Sequence, residues 1–339
     1  MSRLQLSFAA GSVERLKPIL DGHVQPEGID LVPSVVPPND LFWRVPRFDP
    51  FDVAELSLTG YMWGIQRGKR WTALPVFPGW VFSCHTETLV NVDSGIDKPE
   101  ELRGKRVGVP EYPVTAIMYI RDAFETEHSV KPEDISWHEE RSDWCSHYRL
   151  MGYRPPANVP VQVIPEDSTL CDMLISGELD AVTRYFGRAR EYDQPVLVDR
   201  SHMSMKELAA HPKVKWLYPD RKAAAIDYYK KLSYLQPIHC IIVKQEVVDK
   251  HPWVPLNLMN AFAESCHLTA DADLVRAFSY TFSKEEQKAL IGPDFWPVGI
   301  RRNRPALEAF LQLAYKQGFG GSERPFTLAE FFHESTLHT

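Results

Sequence analysis

Two histidines and two glutamates are the side chains of this 339-residue chain best suited to moving protons: His85, His239, Glu55 and Glu111. Histidine titrates near neutrality and serves as either acid or base. Glu55 closes the run Phe51-Asp52-Val53-Ala54-Glu55, which reads as a strand. His85 falls in the extended run 79–91, and His239 in the β-branched run Ile238–Val243. The plainer reading of each histidine is a satisfied core or surface residue, and Glu55 at a strand end can equally pair with an arginine.

The second chemical feature is Arg103–Asp122, RGKRVGVPEYPVTAIMYIRD. A short strand, a polar turn and a helix opening near Pro113 make half of a βαβ unit. The unsatisfied N–H groups of such a helix start can hold a carboxylate or phosphate, with Glu111, Tyr112 and Thr115 beside them. Three further residues occupy comparable positions: Arg15 early in the first helix, Ser57 at a helix start, and Arg184 just after the strand Leu179–Val182. Helix capping is the alternative for Thr115 and Ser57, and solvated or surface ion pairing for the arginines. His138, Cys145 and His147 are metal-capable side chains, but their spacing matches no zinc motif, so no metal ligands are assigned and a divalent cofactor stays open.

These residues must be positioned by an α/β framework. Strand-like segments at 4–9, 29–32, 51–55, 79–91, 107–109, 161–164, 179–182 and 238–243 alternate with helical ones, which indicates a mostly parallel sheet. Residues 137–160 read as an irregular, aromatic-rich excursion. The last third is helical near 253–267, 283–290, 305–317 and 327–334, with capping boxes at Ser283–Glu286 and Thr327–Glu330. The expected organisation is two lobes joined by the strands 79–91 and 237–244, with a ligand cleft between them. The first lobe comprises 1–80 plus 270–339 and the second 81–269, the segment 237–270 being the hardest to assign.

Hydrophobic residues make up 44% and charged residues 24% of the chain, ordinary globular values. A net charge of −7 argues against nucleic-acid and anionic-membrane partners. Five cysteines, an odd number without C-x-x-C spacing, fit reduced thiols. The N-terminal residues have neither the charge pattern of a signal peptide nor the length of a membrane span. The expected setting is the cytoplasm, with a homo-oligomer left open.

Several stretches together resemble the 4,5-dihydroxyphthalate decarboxylase family. They are Pro26-Glu27-Gly28-Ile29-Asp30, Phe51–Ser57, Pro75-Val76-Phe77-Pro78, Leu102–Tyr112 with Thr115, Gly177-Glu178-Leu179-Asp180-Ala181, Pro237-Ile238-His239, His251-Pro252-Trp253, and Trp296-Pro297 with Gly299-Ile300 and Asn303-Arg304. The resemblance implies an α/β, two-lobed architecture of the periplasmic-binding-protein-like type II class. It also implies a carboxy-lyase of aromatic compound catabolism acting on a hydroxylated, phthalate-like acid. His85, His239 and Glu55 would then carry proton transfer, while Arg15, Ser57, Glu111, Tyr112, Thr115 and Arg184 bind the substrate. The family's usual arginine beside the histidine near residue 85 is absent, and segments 138–160 and 184–216 depart from the pattern. A non-catalytic cytosolic solute-binding or sensor protein for a small carboxylate is the alternative on the same scaffold.

Overall fold

β-branched and aromatic runs bounded by Gly and Pro become strands in the computed structural model, which describes residues 3–81, 83–183, 198–270, 283–292, 297–321 and 323–339. In chain order the strands are β1 (Leu4–Ala10), β2 (Ile29–Val35), β3 (Val53–Ser57), β4 (Trp71–Leu74), β5 (Trp80–Val81), β6 (Thr88–Asn91), β7 (Arg106–Val109), β8 (Ser136–Glu139), β9 (Val161–Val163), β10 (Ala181–Thr183), β11 (Val214–Trp216), β12 (Gln236–Pro237) and β13 (His239–Lys244). The described α-helices are α1 (Lys17–Leu20), α2 (Pro38–Phe48), α3 (Leu58–Gln66), α4 (Thr115–His128), α5 (Leu170–Ser176), α6 (Met205–Ala209), α7 (Arg221–Leu232), α8 (Gln245–Lys250), α9 (Val254–Leu268), α10 (Lys284–Ile291), α11 (Ile300–Lys316) and α12 (Leu328–Phe331).

The chain divides into two compact units, Met1–Phe82 with Leu232–Thr339, and Ser83–Lys231. In the first, the sheet order is β2-β1-β3-β13-β4. β1 runs parallel to β2 and β3, whereas β13 is antiparallel to β3 and β4. Every residue of β3 is buried, as expected of a central strand covered on both faces. Phe8, Leu31, Val53, Val76, Ile241, Val243, Leu258 and Phe262 belong to this unit's core, where Phe8 meets Phe262 edge-to-face at 5.4 Å.

The second unit has the order β11-β6-β10-β7-β8-β9. Strands β7 through β10 are parallel and β6 is antiparallel to its two neighbours. Leu89, Leu170, Leu174, Leu179, Val182 and Leu208 are buried together on it. Gly108 allows this packing: a Cβ there would stand 2.7 Å from Leu170 and 2.8 Å from Leu179.

Three expectations change. The run 79–91 is not one strand, because Ser83 takes a left-handed φ of 53° and Cys84–Thr86 turns as a 3-10 helix between β5 and β6. Residues 232–269, expected in the second lobe, pack with the first unit because β13 fills the place between β3 and β4. The excursion 137–160 contributes a strand after all, since β8 pairs with both β7 and β9.

Candidate active site

In the first unit, Glu55 and His239 meet on one face of the antiparallel β3–β13 ladder. Ile241 lies opposite Glu55 and His239 opposite Ser57. The period of two along each strand therefore makes Glu55 and His239 diagonal neighbours. Glu55 Oε1 is 2.6 Å from His239 Nδ1, and its Oε2 accepts a hydrogen bond from the Gly11 amide at 2.8 Å. The carboxylate is 1% exposed and the imidazole 18%. With Nδ1 donating to Glu55, Nε2 is the ring atom that can give and take a proton. The Phe42 ring abuts the imidazole edge-on at 4.7 Å. Gly79 fixes it from another side, since a Cβ on Gly79 would come within 2.5 Å of Nδ1. Burial, with the Glu55 charge, pushes the neighbouring Cys240 thiol up, so it stays protonated.

Ser57 Oγ caps α3 by accepting from the Gly60 amide at 3.1 Å, and the Leu58 amide donates to Ile238 at 2.9 Å. Much of that helix start is thus satisfied by the chain itself. Arg15 is buried and donates to the Phe77 carbonyl at 2.5 Å, and its own carbonyl accepts from Ser265.

In the second unit, buried charges gather at the carboxyl ends of the parallel strands, where ligands of open α/β sheets bind. Arg141, just past β8, donates from Nε and Nη2 to Asp199 Oδ1 at 2.9 and 2.8 Å and lies 3.7 Å from Glu111. Glu111, just past β7, accepts from Ser146 Oγ and from the His147 and Tyr148 amides at 3.1 and 3.4 Å. Complete burial raises its carboxyl to about 7, with Glu139 adding and Arg141 opposing. Glu139 pairs with Arg149 and accepts from the Tyr112 amide at 2.6 Å. Burial raises Glu139 as well.

α4 differs from α3 at its start. Its N-cap, Val114, supplies no side-chain hydrogen bond, and Thr115 is its first residue, 1% exposed. This first turn therefore lacks the side-chain cap that Ser57 gives α3. Tyr112 faces Arg121, whose guanidinium carbon sits 3.8 Å from the ring centroid, and Trp137 edge-on at 5.7 Å.

No protein-family model matches the chain. Among curated proteins it is 33% identical over 346 residues to 4,5-dihydroxyphthalate decarboxylase of Comamonas testosteroni, covering 100% of this chain and 99% of that protein. It is 36% identical over 241 residues to the enzyme of the same name from Pseudomonas putida, covering 71% of this chain and 87% of that one. The chain belongs to the 4,5-dihydroxyphthalate decarboxylase family. Among solved structures, a periplasmic sulfonate-binding protein SsuA of Methylobacillus flagellatus superposes with a TM-score of 0.54 at 10% identity, covering 99% of this chain and 93% of that one. The desulfurization enzyme DSZB bound to biphenyl-2-sulfinic acid gives 0.54 at 15% identity, covering 99% and 98%. These two share the fold, which is the α/β fold of the periplasmic solute-binding proteins.

Of the residues that the family resemblance singles out, the structure brings together Glu55, His239 and Ser57, with Arg15 in the same unit. His85, Glu111, Tyr112 and Thr115 belong to the other unit. His85 is not on a strand but in the Cys84–Thr86 turn, 3% exposed, edge-on to Tyr228 at 4.5 Å and Tyr218 at 5.3 Å. Burial lowers it to about 3, so it is a neutral imidazole at ordinary pH. Arg184 lies outside the described residues, as does Trp296. His138, Cys145 and His147 each have partners of their own: Gln162, Ser142 and Arg141. The network residues Arg141, Glu139, Arg149 and Asp199 escaped sequence reasoning. Nothing local marks a pair such as Arg141 and Asp199, and Gly79 showed only as a glycine after Pro78.

Proposed function

We propose that this chain is a carboxy-lyase that replaces one carboxylate of a hydroxylated, phthalate-like aromatic acid by a proton, and that His239, positioned by Glu55, handles that proton. The observation that carries the reading is the Glu55–His239 pair: a buried carboxylate holding one nitrogen of a partly exposed imidazole. Both relatives being named 4,5-dihydroxyphthalate decarboxylase supports the reaction class.

The chemistry needs an acid at a ring carbon. A ring hydroxyl feeds electron density into the carbon bearing the carboxylate, and His239 Nε2 gives that carbon its proton. The bond to the carboxylate carbon then breaks, its electron pair returns aromaticity to the ring, and CO2 leaves. The hydroxyl's electron push is recovered in the same step, so no oxidant is consumed. Glu55 holds the imidazole in one orientation through Nδ1, as the orienting carboxylate of a catalytic triad does. We place the protein in the cytoplasm, supported by five cysteines, an odd number, all of them buried. No described helix is long and apolar enough to cross a membrane.

The test is incubation of the purified protein with a panel of hydroxylated phthalates and benzoates while CO2 release is followed. Turnover that disappears in His239→Asn supports the reading. Tight binding of one acid with no CO2 from any of the panel overturns it.

A further inference from the structure

A second cluster of reactive side chains shares no residue with the Glu55–His239 pair. Cys171 and Asp172 stand in the first turn of α5, and His202 lies on the segment leading to α6. Among the described residues, these three form the group of metal-capable side chains whose ligand atoms all lie within 4.8 Å of one another. Cys171 Sγ is 3.6 Å from His202 Nδ1. A tetrahedral ion with bonds of about 2.3 Å to sulfur and about 2.0 Å to nitrogen separates those two atoms by roughly the same distance. Thr169 braces two of the three: its hydroxyl is 3.0 Å from Cys171 Sγ and donates to Asp172 Oδ2 at 2.6 Å. Ligands held by such an outer hydrogen bond keep their orientation before the ion arrives.

Pairwise attraction between these side chains is too weak to hold them together. His202 Nε2 and Asp172 Oδ1 are 4.0 Å apart on side chains that are 59% and 58% exposed, an ion pair of little worth. A thiol is a poor hydrogen-bond partner for an imidazole.

We infer that Cys171, Asp172 and His202 form a three-ligand site for a borderline divalent cation, of which Zn2+ is the best chemical match. Thiolate and imidazole exclude Mg2+ and Ca2+, which prefer all-oxygen sites. One sulfur, one nitrogen and one oxygen leave the fourth tetrahedral position open to water or a small ligand. On binding, the Cys171 thiol releases its proton to solvent as the sulfur–metal bond forms, and no electron is transferred. The ion would tie the start of α5 to the segment around His202.

Cobalt(II) is the probe, because tetrahedral Co2+ is coloured and a thiolate ligand adds a charge-transfer band. The chelator-treated full-length protein is titrated with Co2+ and then with Zn2+. The expected result is one equivalent of tetrahedral cobalt with a thiolate charge-transfer band, displaced by Zn2+. His202 is exposed, so His202→Ala keeps the fold, and it should weaken binding by more than the roughly 10–100-fold that losing an outer-shell partner alone costs. Cys171→Ser should abolish the charge-transfer band. Cobalt bound without a thiolate band, or a band unchanged in His202→Ala, overturns the site. The readout is spectroscopic, so it stands whether or not the decarboxylation test succeeds.

Discussion

His239 and Glu55 are 184 residues apart in sequence and 2.6 Å apart in the structure, joined by the ladder register that sets Ile241 opposite Glu55. Because the partner of Nδ1 is a buried, ionisable oxygen, the two substitutions separate chemistry from folding. His239→Asn is expected to lower kcat by about 10²–10⁴-fold, the usual share of a general acid or base. Glu55→Gln keeps the shape but can present an amide N–H to Nδ1 and so disfavour the productive tautomer. A kcat loss with an altered pH profile and unchanged circular dichroism is the expected signature. Full turnover by either variant would remove the assignment.

Gly79 gives a steric test of the same geometry. A methyl group at this position would stand 2.5 Å from Nδ1 and 2.8 Å from Cγ of His239, so the ring must move. Gly79→Ala should cost about 1–3 kcal/mol of stability, as overpacking does. Turnover should fall up to about 10²-fold, because displacements of about 1 Å carry such penalties. Urea unfolding and steady-state kinetics on one preparation check both. A variant of normal activity would show that the imidazole is not held by this contact.

Glu111 predicts a pH dependence of stability. Its carboxyl is raised from 4.5 to about 7, mainly by burial, so the folded protein keeps a proton that the unfolded chain releases across that interval. The sign follows: its contribution is full below about pH 4.5, declines as pH rises, and is gone above about pH 7. Glu111→Gln should flatten this component, visible as a pH-dependent difference between variant and wild-type urea midpoints. His85 contributes with the opposite sign, since its pKa is lowered to about 3, but it is common to both proteins and cancels in the difference. A difference independent of pH from 4 to 8 would refute the assignment.

Arg141 and Asp199 form an ion pair of side chains 0% and 4% exposed. Removing one partner leaves the other's buried charge less compensated, although Arg141 keeps Glu111 at 3.7 Å, so Arg141→Met or Asp199→Leu alone should destabilise by about 3 kcal/mol or more. The double variant should recover a large part, because neither charge is then left without its counterpart. A double-mutant cycle by chemical denaturation measures this coupling, and strict additivity would show that the pair is not energetically linked.

The framework was legible wherever local pattern decides structure. The β-branched run that became β13 and the capping boxes at Ser283 and Thr327 follow from nearest-neighbour chemistry, and the Ser283 and Thr327 side chains accept from Glu286 and Glu330 amides. The 79–91 run misled because most of its residues suit an extended chain; the left-handed φ of Ser83 and the Cys84–Thr86 turn break it. Helix α11 starts at Ile300, before Pro305, because Asn303 donates to the Pro297 and Gly299 carbonyls and secures the turn ahead of the proline. Within the site, the chemistry of Glu55 and His239 could be read singly from residue type. Their pairing depends on strand register, and the Arg141–Asp199 pair on a fold-back of 58 residues, neither of which is written in any short stretch.

The sheet order β2-β1-β3-β13-β4 also bears on how the protein is made. The middle of the first unit's sheet stands vacant on the nascent chain until His239–Lys244 leaves the ribosome, with the whole of Ser83–Lys231 synthesised in between. During that interval the mostly apolar strand Val53–Ser57 has an unpaired edge, the kind of surface on which chains mispair. Glu55 waits through the same interval for His239, so the pair proposed to handle the proton assembles only after the long central insert has been translated.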